Sequence, residues 1–448
     1  MVLMVATPLA ALIPCLVGSA ADVPLTAEGF TVRIEPCDTE ISGLRLRLTA
    51  PLAIAIDPPE TVVVKGERQE RLPFYNAQTA GWAKGAKLQG LVSQETTAAG
   101  RLHKDSVVLR LGAPDGEVMT PDKDYGIDLQ WATFGRLPDG RIGEADAVFI
   151  DYVYEKSRLD SIVLTPDGRI ALERGAADVA IPRPPALPEG AERISNVWVE
   201  GCITGLTRAN LFPILEGTYP EPQPVTPSAA ERLLSKTVAK LRSGEKLRVL
   251  AWGDSVTVGT YVPNWQANRW QEQFVARLQE RFPKANIELT TCAWGGRSMQ
   301  SFLSEPPGSE YNYKEKILGS GADLIAMEFV NDAGLDPAGV ESLYSQRLEE
   351  FRAAGIEWAI LTPHYVRPDW MGLTAERDCD EDPRPYVAGV RAFCAKHDVA
   401  MGDASLRWGH LWREGIPYTT LLMNAINHPD ERGMKLFADA LMALFPPS

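Results

Sequence analysis

The chain has few histidines and cysteines, and it has no cluster of basic residues. Its first lysine or arginine is Arg33, and 59 acidic against 45 basic residues give a net charge of −14. Because an acidic surface repels phosphate groups, nucleic acids and anionic membranes are not expected as partners. The five histidines and six cysteines include no Cys-x-x-Cys or His-x-x-x-His pair, so the sequence predicts neither a metal site nor a cofactor.

The N-terminal segment contains no charged residue before Asp22. Residues 2–17 are mostly apolar, and the small residues Gly18-Ser19-Ala20-Ala21 follow them. This pattern resembles the apolar region and cleavage site of a signal peptide, although the usual basic start is missing. Pro8 and Pro14 interrupt the apolar run, which argues against a membrane span. We therefore expect residues 1–21 to be a signal peptide, a secreted or periplasmic protein, and no membrane span in the mature chain.

Residues 26–178 have the pattern of β structure. Short apolar runs alternate with turn signals, among them three Pro-Asp-Gly tripeptides that begin at Pro114, Pro138 and Pro166. The clearest unit is a hairpin pattern over 147–154, 160–164 and 170–172. These features predict a β-rich, sandwich-like accessory domain, either glycan-binding or structural, with the structural role favoured.

Two proline clusters separate this region from the rest of the chain. They lie in residues 181–188 and 220–227, so 179–227 is expected to be a stiff linker with a short β piece over 194–203. Ser228 and Glu231 form a capping-box pattern that opens a helix. The last domain is therefore expected to span 228–448.

From residue 245 onward, strand and helix patterns alternate. The strand-like runs are 247–252, 286–291, 323–329, 357–362 and 399–402, and the helical patterns between and after them include 270–282, 343–353, 386–397 and 432–444. Five strands joined by crossover helices predict an α/β, three-layer, flavodoxin-like parallel sheet. A nucleotide-binding domain would fit the same order, so the fold alone does not give the function.

Four short motifs follow strand ends or precede the last helix. Ser255 follows the first strand in Gly253-Asp254-Ser255, Gly296 follows the second, Asn331 follows the third, and His428 precedes the final helix. A nucleophile, a base and oxyanion donors are the parts that acyl transfer requires. Each motif alone has a simpler explanation: a helix cap, a plain loop, a turn and a surface histidine.

The order of these motifs resembles the SGNH, or GDSL-type, hydrolase family, over the C-terminal half only. The resemblance implies that Ser255 is the nucleophile and that His428 is the base and then the acid. It also implies that the backbone amides of Ser255 and Gly296 and the side chain of Asn331 bind the oxyanion. The motif is not the Gly-x-Ser-x-Gly elbow, because Thr257 stands where the second glycine would be.

The sequence departs from the family pattern at two positions. Val330 replaces a usually small residue, and Ala425 occupies the position, three residues before the histidine, where the family usually has its acid. Two alternatives remain: a Ser-His dyad, with a backbone carbonyl orienting the imidazole, or a carboxylate from elsewhere in the chain.

The substrate is expected to be a small-molecule or glycan ester, most reasonably a carbohydrate carrying an acetyl or other short acyl group. Aromatic rings can stack on sugars, and eight of the eleven tryptophans lie in the C-terminal half: 252, 265, 270, 294, 358, 370, 408 and 412. His364, Arg367 and Trp294 are the predicted substrate contacts, with His364 also a rival base. The alternatives are a lipid or thioester acylhydrolase and a non-catalytic carbohydrate-binding protein; the sequence gives no oligomeric state.

Overall fold

A computed structural model describes residues 23–259 and 261–447. The segment expected to be a signal peptide, residues 1–21, lies outside the described residues. None of the helices in these two ranges combines the length and the apolar character needed to cross a bilayer.

Residues 23–213 form short strands that pair in antiparallel fashion. In chain order they are β1 (Leu25–Glu28), β2 (Thr31–Ile34), β3 (Cys37–Ile41), β4 (Leu44–Leu48), β5 (Leu52–Ala55), β6 (Glu60–Glu70), β7 (Ala86–Lys87), β8 (Val92–Ser93), β9 (Thr96–Thr97), β10 (Val108–Leu111), β11 (Glu117–Val118), β12 (Tyr125–Asp128), β13 (Thr133–Arg136), β14 (Ala147–Lys156), β15 (Arg158–Leu164), β16 (Ile170–Glu173), β17 (Glu192–Val199) and β18 (Leu211–Pro213). They assemble as β1–β2–β5, β11–β10–β14–β6, β12–β13–β7 and β16–β15–β17–β18, with β3–β4 and β8–β9 as separate hairpins.

Two apolar cores support these sheets. One lies between β1–β5 and the β15–β17–β18 strands, around Val32, Ile162 and Val197. The other lies under β6, β10, β13 and β14, around Phe134 and Ile150. The β-rich character is as predicted, whereas the sandwich-like arrangement stays a prediction.

The strand pairing differs from the hairpin pattern in the sequence. β14 pairs with β6 and β10, whereas β15 pairs with β16 and β17. Only Ser157 separates β14 from β15, and one residue is too short for a hairpin turn. The hairpin is therefore β15–β16 alone.

The expected linker contains a central strand. β17 lies between β15 and β18, and Ile194, Val197 and Val199 on it are fully buried. The short β piece expected over 194–203 is thus present as β17, and the linker boundaries 179–227 stay a prediction.

The C-terminal region alternates strands and helices as predicted. Its strands are β19 (Lys246–Gly253), β20 (Asn286–Ala293), β21 (Leu324–Glu328), β22 (Glu357–Leu361) and β23 (Ala400–Gly402). Its helices are α1 (Ala229–Leu233), α2 (Ser235–Ser243), α3 (Ser255–Val258), α4 (Trp265–Asn268), α5 (Trp270–Arg281), α6 (Met299–Ser304), α7 (Pro337–Ala354), α8 (Pro368–Met371), α9 (Pro385–His397), α10 (Ala404–His410) and α11 (Glu431–Met442). The predicted capping box is present: Ser228 and Glu231 exchange side-chain-to-backbone hydrogen bonds at the start of α1.

The five strands form one parallel sheet in the order β20–β19–β21–β22–β23. Alternate residues of β19 point into different cores: Val249 packs with α5 and α11, and Leu250 packs with α7 and α9. Helices therefore cover both faces, and the inner strands β21 and β22 are buried almost along their whole length.

The sheet register places the strand ends side by side. Gly253 at the end of β19 pairs with Ala293 on β20 and with Glu328 on β21. The loops that carry Ser255, Gly296 and Asn331 therefore leave the sheet at one edge, where open α/β sheets bind ligands.

Candidate active site

Ser255 is the first residue of α3, directly after β19. The helix cap is Asp254, whose Oδ1 accepts a hydrogen bond of 3.1 Å from the Val256 amide. The Gly-Asp-Ser motif therefore does contain a helix cap, but the cap is Asp254 and not Ser255. Its hydroxyl is 3.2 Å from Nε2 of His428, which is hydrogen-bonding distance for a nucleophile and its base.

His428 lies in the loop before α11, and its imidazole is half-enclosed. The Tyr261 ring stacks on it at 5.7 Å between centroids, with 27° between the planes. The loop itself closes through a 2.7 Å hydrogen bond from the Met423 amide to the His428 carbonyl. The structure thus brings together the two residues predicted as nucleophile and base.

Asn424 organises this loop. Its side-chain oxygen accepts hydrogen bonds from the amides of Ile426, Asn427 and His428, at 3.0, 2.8 and 2.9 Å. One buried side chain therefore fixes the backbone on which the imidazole sits.

The other imidazole nitrogen faces Glu95, from the β-rich region. Glu95 Oε1 lies 3.2 Å from Nδ1 of His428, which is ion-pair distance, but the geometry is not that of a hydrogen bond. The same oxygen accepts a 2.8 Å hydrogen bond from Nδ2 of Asn424. Burial opposes ionisation of Glu95, but the neighbouring His428 and Asn424 outweigh it and lower the pKa of the carboxyl. Ala425 stands where the resemblance would place the acid, and its side chain has no carboxyl group.

Glu95 is delivered by the β8–β9 hairpin. The Ser93 hydroxyl donates to the Met423 carbonyl, and the Thr96 hydroxyl donates to the Asn424 carbonyl. Two hydroxyls on either side of Glu95 thus attach the hairpin to the loop that carries the imidazole.

Gly296 and Asn331, the predicted oxyanion donors, line the same cavity as Ser255. Asn331 is held by Asp254, whose Oδ2 accepts hydrogen bonds from the Asn331 amide at 2.9 Å and from its Nδ2 at 2.8 Å. An amide NH₂ has two hydrogens, so one remains for the cavity that Asn331 lines. Gly295 and Gly296 line the same cavity, and Gly296 has φ +71°.

Three carboxyl groups are buried beneath the site. Burial raises the pKa values of Asp254, Glu328 and Asp332, and the charge of Asp254 raises those of the other two further. Asp254 is the group best suited to be the anion, because it accepts the amides of Val256 and Asn331. Glu328, whose pKa lies well above its usual range, is then the neutral partner.

Ser255 opens into a cavity of about 640 Å³ between the two regions of the chain. Trp82, Glu95 and Thr96 from the β-rich region line it together with the C-terminal loops. Its remaining aromatic rings are Tyr261, Tyr311 and Trp370. The Trp82 and Trp370 rings lie 5.7 Å apart, and Trp370 is 50% exposed, so they form an aromatic rim.

His364, a predicted substrate contact and rival base, lies beneath this cavity rather than in it. Its side chain has no exposed surface, and its Nε2 is 2.7 Å from the Asn427 carbonyl. Burial lowers the pKa of His364 to about 3. The prediction that His364 contacts the substrate is therefore wrong, because the side chain is enclosed between Trp408 and Phe437.

Arg367 and Trp294, the other predicted contacts, flank the cavity without lining it. Arg367 lies over the Trp131 ring, 4.6 Å from its centroid, and so joins the two regions. Trp294 stacks on Tyr311, with centroids 4.5 Å apart and 6° between planes. It therefore supports a ring of the cavity wall instead of offering its own.

Glu95, Thr96 and Trp82 were missed by the sequence analysis. Their local sequence carries no signal, because their role depends on contacts with a distant loop. The only hint in the sequence is Ala425, which leaves His428 without an acidic residue nearby in the sequence and so suggests a carboxylate from elsewhere.

One group of metal-ligating side chains occurs among the described residues, outside this cavity. The side chains of His103, Glu155 and Cys202 lie within 4.8 Å of one another. None of the three lines the cavity of Ser255.

Comparison with known proteins gives matches to solved structures only. No protein-family model matches the sequence, and no curated protein matches it. One similar structure is a two-domain esterase active on acetylated mannans, at 13% identity and TM-score 0.38, over 48% of this chain and 52% of that one. The chain thus spans about half the length of that esterase.

Two further similar structures are smaller proteins. One is a member of the lipolytic protein G-D-S-L family from Veillonella parvula, at 20% identity and TM-score 0.33, over 44% of this chain and 96% of that one. The other is an acetylxylan esterase from Geobacillus stearothermophilus, at 15% identity and TM-score 0.35, over 44% of this chain and 93% of that one. Each of these matches covers slightly less than half of this chain.

Proposed function

We propose that the protein is a serine esterase that hydrolyses a carbohydrate O-acyl ester. The observation that carries the proposal is the 3.2 Å contact between Ser255 Oγ and His428 Nε2, in a cavity that Asn331 also lines. Nucleophile, base and oxyanion donor at one point are the parts that ester hydrolysis requires.

The reaction proceeds in two halves. Ser255 Oγ attacks the ester carbonyl as its proton passes to Nε2 of His428, and the C–O bond to the sugar breaks when that proton is given to the leaving hydroxyl. Water then attacks the acyl-enzyme, with His428 again taking and returning one proton. The products are the carboxylic acid and the free hydroxyl.

Negative charge on the carbonyl oxygen develops beside Asn331. Its free amide hydrogen and the backbone amides of Ser255 and Gly296 are the proposed donors. Because Asp254 fixes the Asn331 side chain before substrate arrives, this donor needs little reorganisation during the reaction.

The carbohydrate part of the proposal is supported by the cavity wall. Trp82 and Trp370 offer aromatic rings at its mouth, and sugar rings stack on such surfaces. Two of the similar structures are an esterase active on acetylated mannans and an acetylxylan esterase. Export, expected from residues 2–21, would bring the protein to such substrates and stays a prediction of the sequence.

A lipid or thioester acylhydrolase would use the same chemistry on another substrate. A non-catalytic binding protein was supported chiefly by Ala425 in place of the acid. Since Glu95 lies 3.2 Å from His428 Nδ1, that support is weakened.

A fluorophosphonate probe tests the nucleophile. We expect it to label the wild type and the Ser255→Ala variant to remain unlabelled, with the partly buried Ser301→Ala as the matched control that keeps labelling. Equal labelling of wild type and Ser255→Ala, or none in either, would sink the esterase proposal.

Chromogenic esters of increasing acyl length test the substrate class. We expect kcat/KM to be highest for acetyl and to fall with chain length. A steady rise toward long chains would favour the lipid acylhydrolase instead.

A further inference from the structure

We infer that Glu95, carried by the β8–β9 hairpin, is the residue that orients and charges His428, so that the β-rich region completes the active site. The inference rests on the proposed function and names the acid that the C-terminal region lacks. Glu95 touches no reacting atom in this arrangement and acts through the imidazole, so it is a positioning residue.

The first argument is geometric. Both nitrogens of His428 have one partner at 3.2 Å: Ser255 Oγ at Nε2 and Glu95 Oε1 at Nδ1. A carboxylate at Nδ1 places the proton on that nitrogen and leaves Nε2 free to accept the proton of the nucleophile. Catalytic hydrogen bonds are often long or poorly aligned without substrate, so a carboxylate at 3.2 Å that lacks hydrogen-bond geometry here is still within reach of this role.

The second argument is that the hairpin is built to place this side chain. The turn between β8 and β9 is Gln94-Glu95, and Gln94 has φ +59°, a conformation that non-glycine residues rarely adopt. Ser93 and Thr96 on either side donate to the carbonyls of Met423 and Asn424. The contact therefore depends on two side-chain hydroxyls and a strained turn rather than on one incidental approach.

The third argument is electrostatic. His428 faces Glu95 at Nδ1, the buried Asp254 from below and the uncharged phenol of Tyr261 on its ring face. His364 behind it is kept neutral by burial. Among the described residues that line the cavity, none is lysine or arginine, so two carboxyl groups favour the imidazolium that forms during acyl transfer.

The consequence for Ala425 is direct. Ala425 has φ +56° and lines a different, smaller cavity between the two regions. The family position for the acid is thus occupied by a residue outside the Ser255 cavity, and the carboxylate arrives from the opposite side of the interface.

Substitution of Glu95 separates charge from shape. His428 and Asn424 both contact Oε1, so Glu95→Gln can keep both contacts while it removes the charge. We expect kcat for an acetyl ester to fall about 10- to 1000-fold, with KM within about threefold. Glu95→Asp should recover part of the activity, and the exposed Glu40→Gln is the matched control for loss of one acidic charge.

A second measurement does not depend on turnover. In a Ser255→Ala background, the Nδ1 proton of His428 should give a far-downfield NMR resonance that Glu95→Ala removes. The same resonance with and without Glu95, together with kcat within about threefold of wild type in both Glu95→Gln and Glu95→Ala, would overturn the inference and leave the esterase proposal intact. Absence of Ser255-dependent hydrolysis in wild type would instead overturn the function, while the resonance still decides whether Glu95 holds the Nδ1 proton of His428.

Discussion

The side chain of Asn331 has two tasks at one edge of the sheet. One amide hydrogen donates to Asp254 at 2.8 Å, and the other is available to the cavity. Its backbone amide donates to the same carboxylate at 2.9 Å. The residue is therefore fixed at two points, so its free donor has a defined direction.

Asn331→Ala should remove this donor. We expect kcat to fall about 100- to 1000-fold, with KM changed by less than about threefold, because an oxyanion donor acts in the transition state. Steady-state kinetics on an acetyl ester measure both constants. Asn286→Ala, at the opposite end of β20, is the matched control, and a kcat within about tenfold of that control would contradict the assigned role.

The β8–β9 hairpin shows how two short strands can control a distant loop. Consecutive threonines on β9 point to different partners: the Thr96 hydroxyl donates to the Asn424 carbonyl, and the Thr97 hydroxyl donates to the Trp131 carbonyl. Both side chains are buried. Only the first connects the hairpin to the loop of His428.

Thr96→Val and Thr97→Val therefore form a matched pair. Each removes one buried hydroxyl bond, which we expect to lower the free energy of unfolding by about 1–3 kcal/mol. We expect kcat to fall about tenfold or more in Thr96→Val and to stay within about twofold in Thr97→Val. Chemical denaturation and kinetics on both variants measure this, and equal kcat values in the two would contradict control by the hairpin.

The sheet elements could be predicted because their signals are local. A buried parallel strand is apolar along its length, and the predicted runs 247–252 and 357–362 match β19 and β22 within two residues. The parallel order then places Ser255, Gly296 and Asn331 at one edge without further information. β17 was expected only as a short β piece within a linker, because prolines lie on both sides of it, whereas its burial depends on partners elsewhere in the chain.

Glu95 could not be predicted, for the same physical reason. Gln94 to Thr97 read as an ordinary polar turn, and nothing in four residues indicates a histidine from another region. His364 shows the opposite case: its position after β22 placed it correctly at the strand end, but the depth to which Trp408 and Phe437 bury it is a tertiary property.

Over the described residues, three acidic side chains are largely withdrawn from solvent, and no neighbouring cation outweighs the cost of ionising them. Burial raises the pKa values of Asp332, Glu376 and Glu414 each to about 7. In the unfolded chain such groups ionise near pH 4, so between about pH 4 and pH 7 the folded state binds more protons. Their contribution to stability is therefore complete below about pH 4 and is lost as the pH rises to about 7.

Asp332→Asn should remove the loss of stability that ionisation of Asp332 causes as the pH rises. The Asp332 oxygens accept from the Met299 amide at 2.9 Å and from the Tyr344 hydroxyl at 3.2 Å, and an amide can keep both contacts if the hydroxyl accepts instead. We expect Tm to rise by about 2–5 °C relative to wild type at about pH 8 and to change little at about pH 5. Thermal unfolding at both pH values measures this, with the exposed Asp139→Asn as the control, and the same change in Tm at both values would contradict the assignment.

β17 belongs to two cores at once. Val197 on one face packs among the N-terminal strands, and Trp198 on the other packs into the core beneath the parallel sheet. Unfolding of either region would expose one face of β17 to solvent, so neither region keeps its complete core without the other. Heat should accordingly unfold the chain in one calorimetric peak, whose van't Hoff enthalpy approaches the calorimetric one, and two resolved peaks would mean that the strand does not couple the halves.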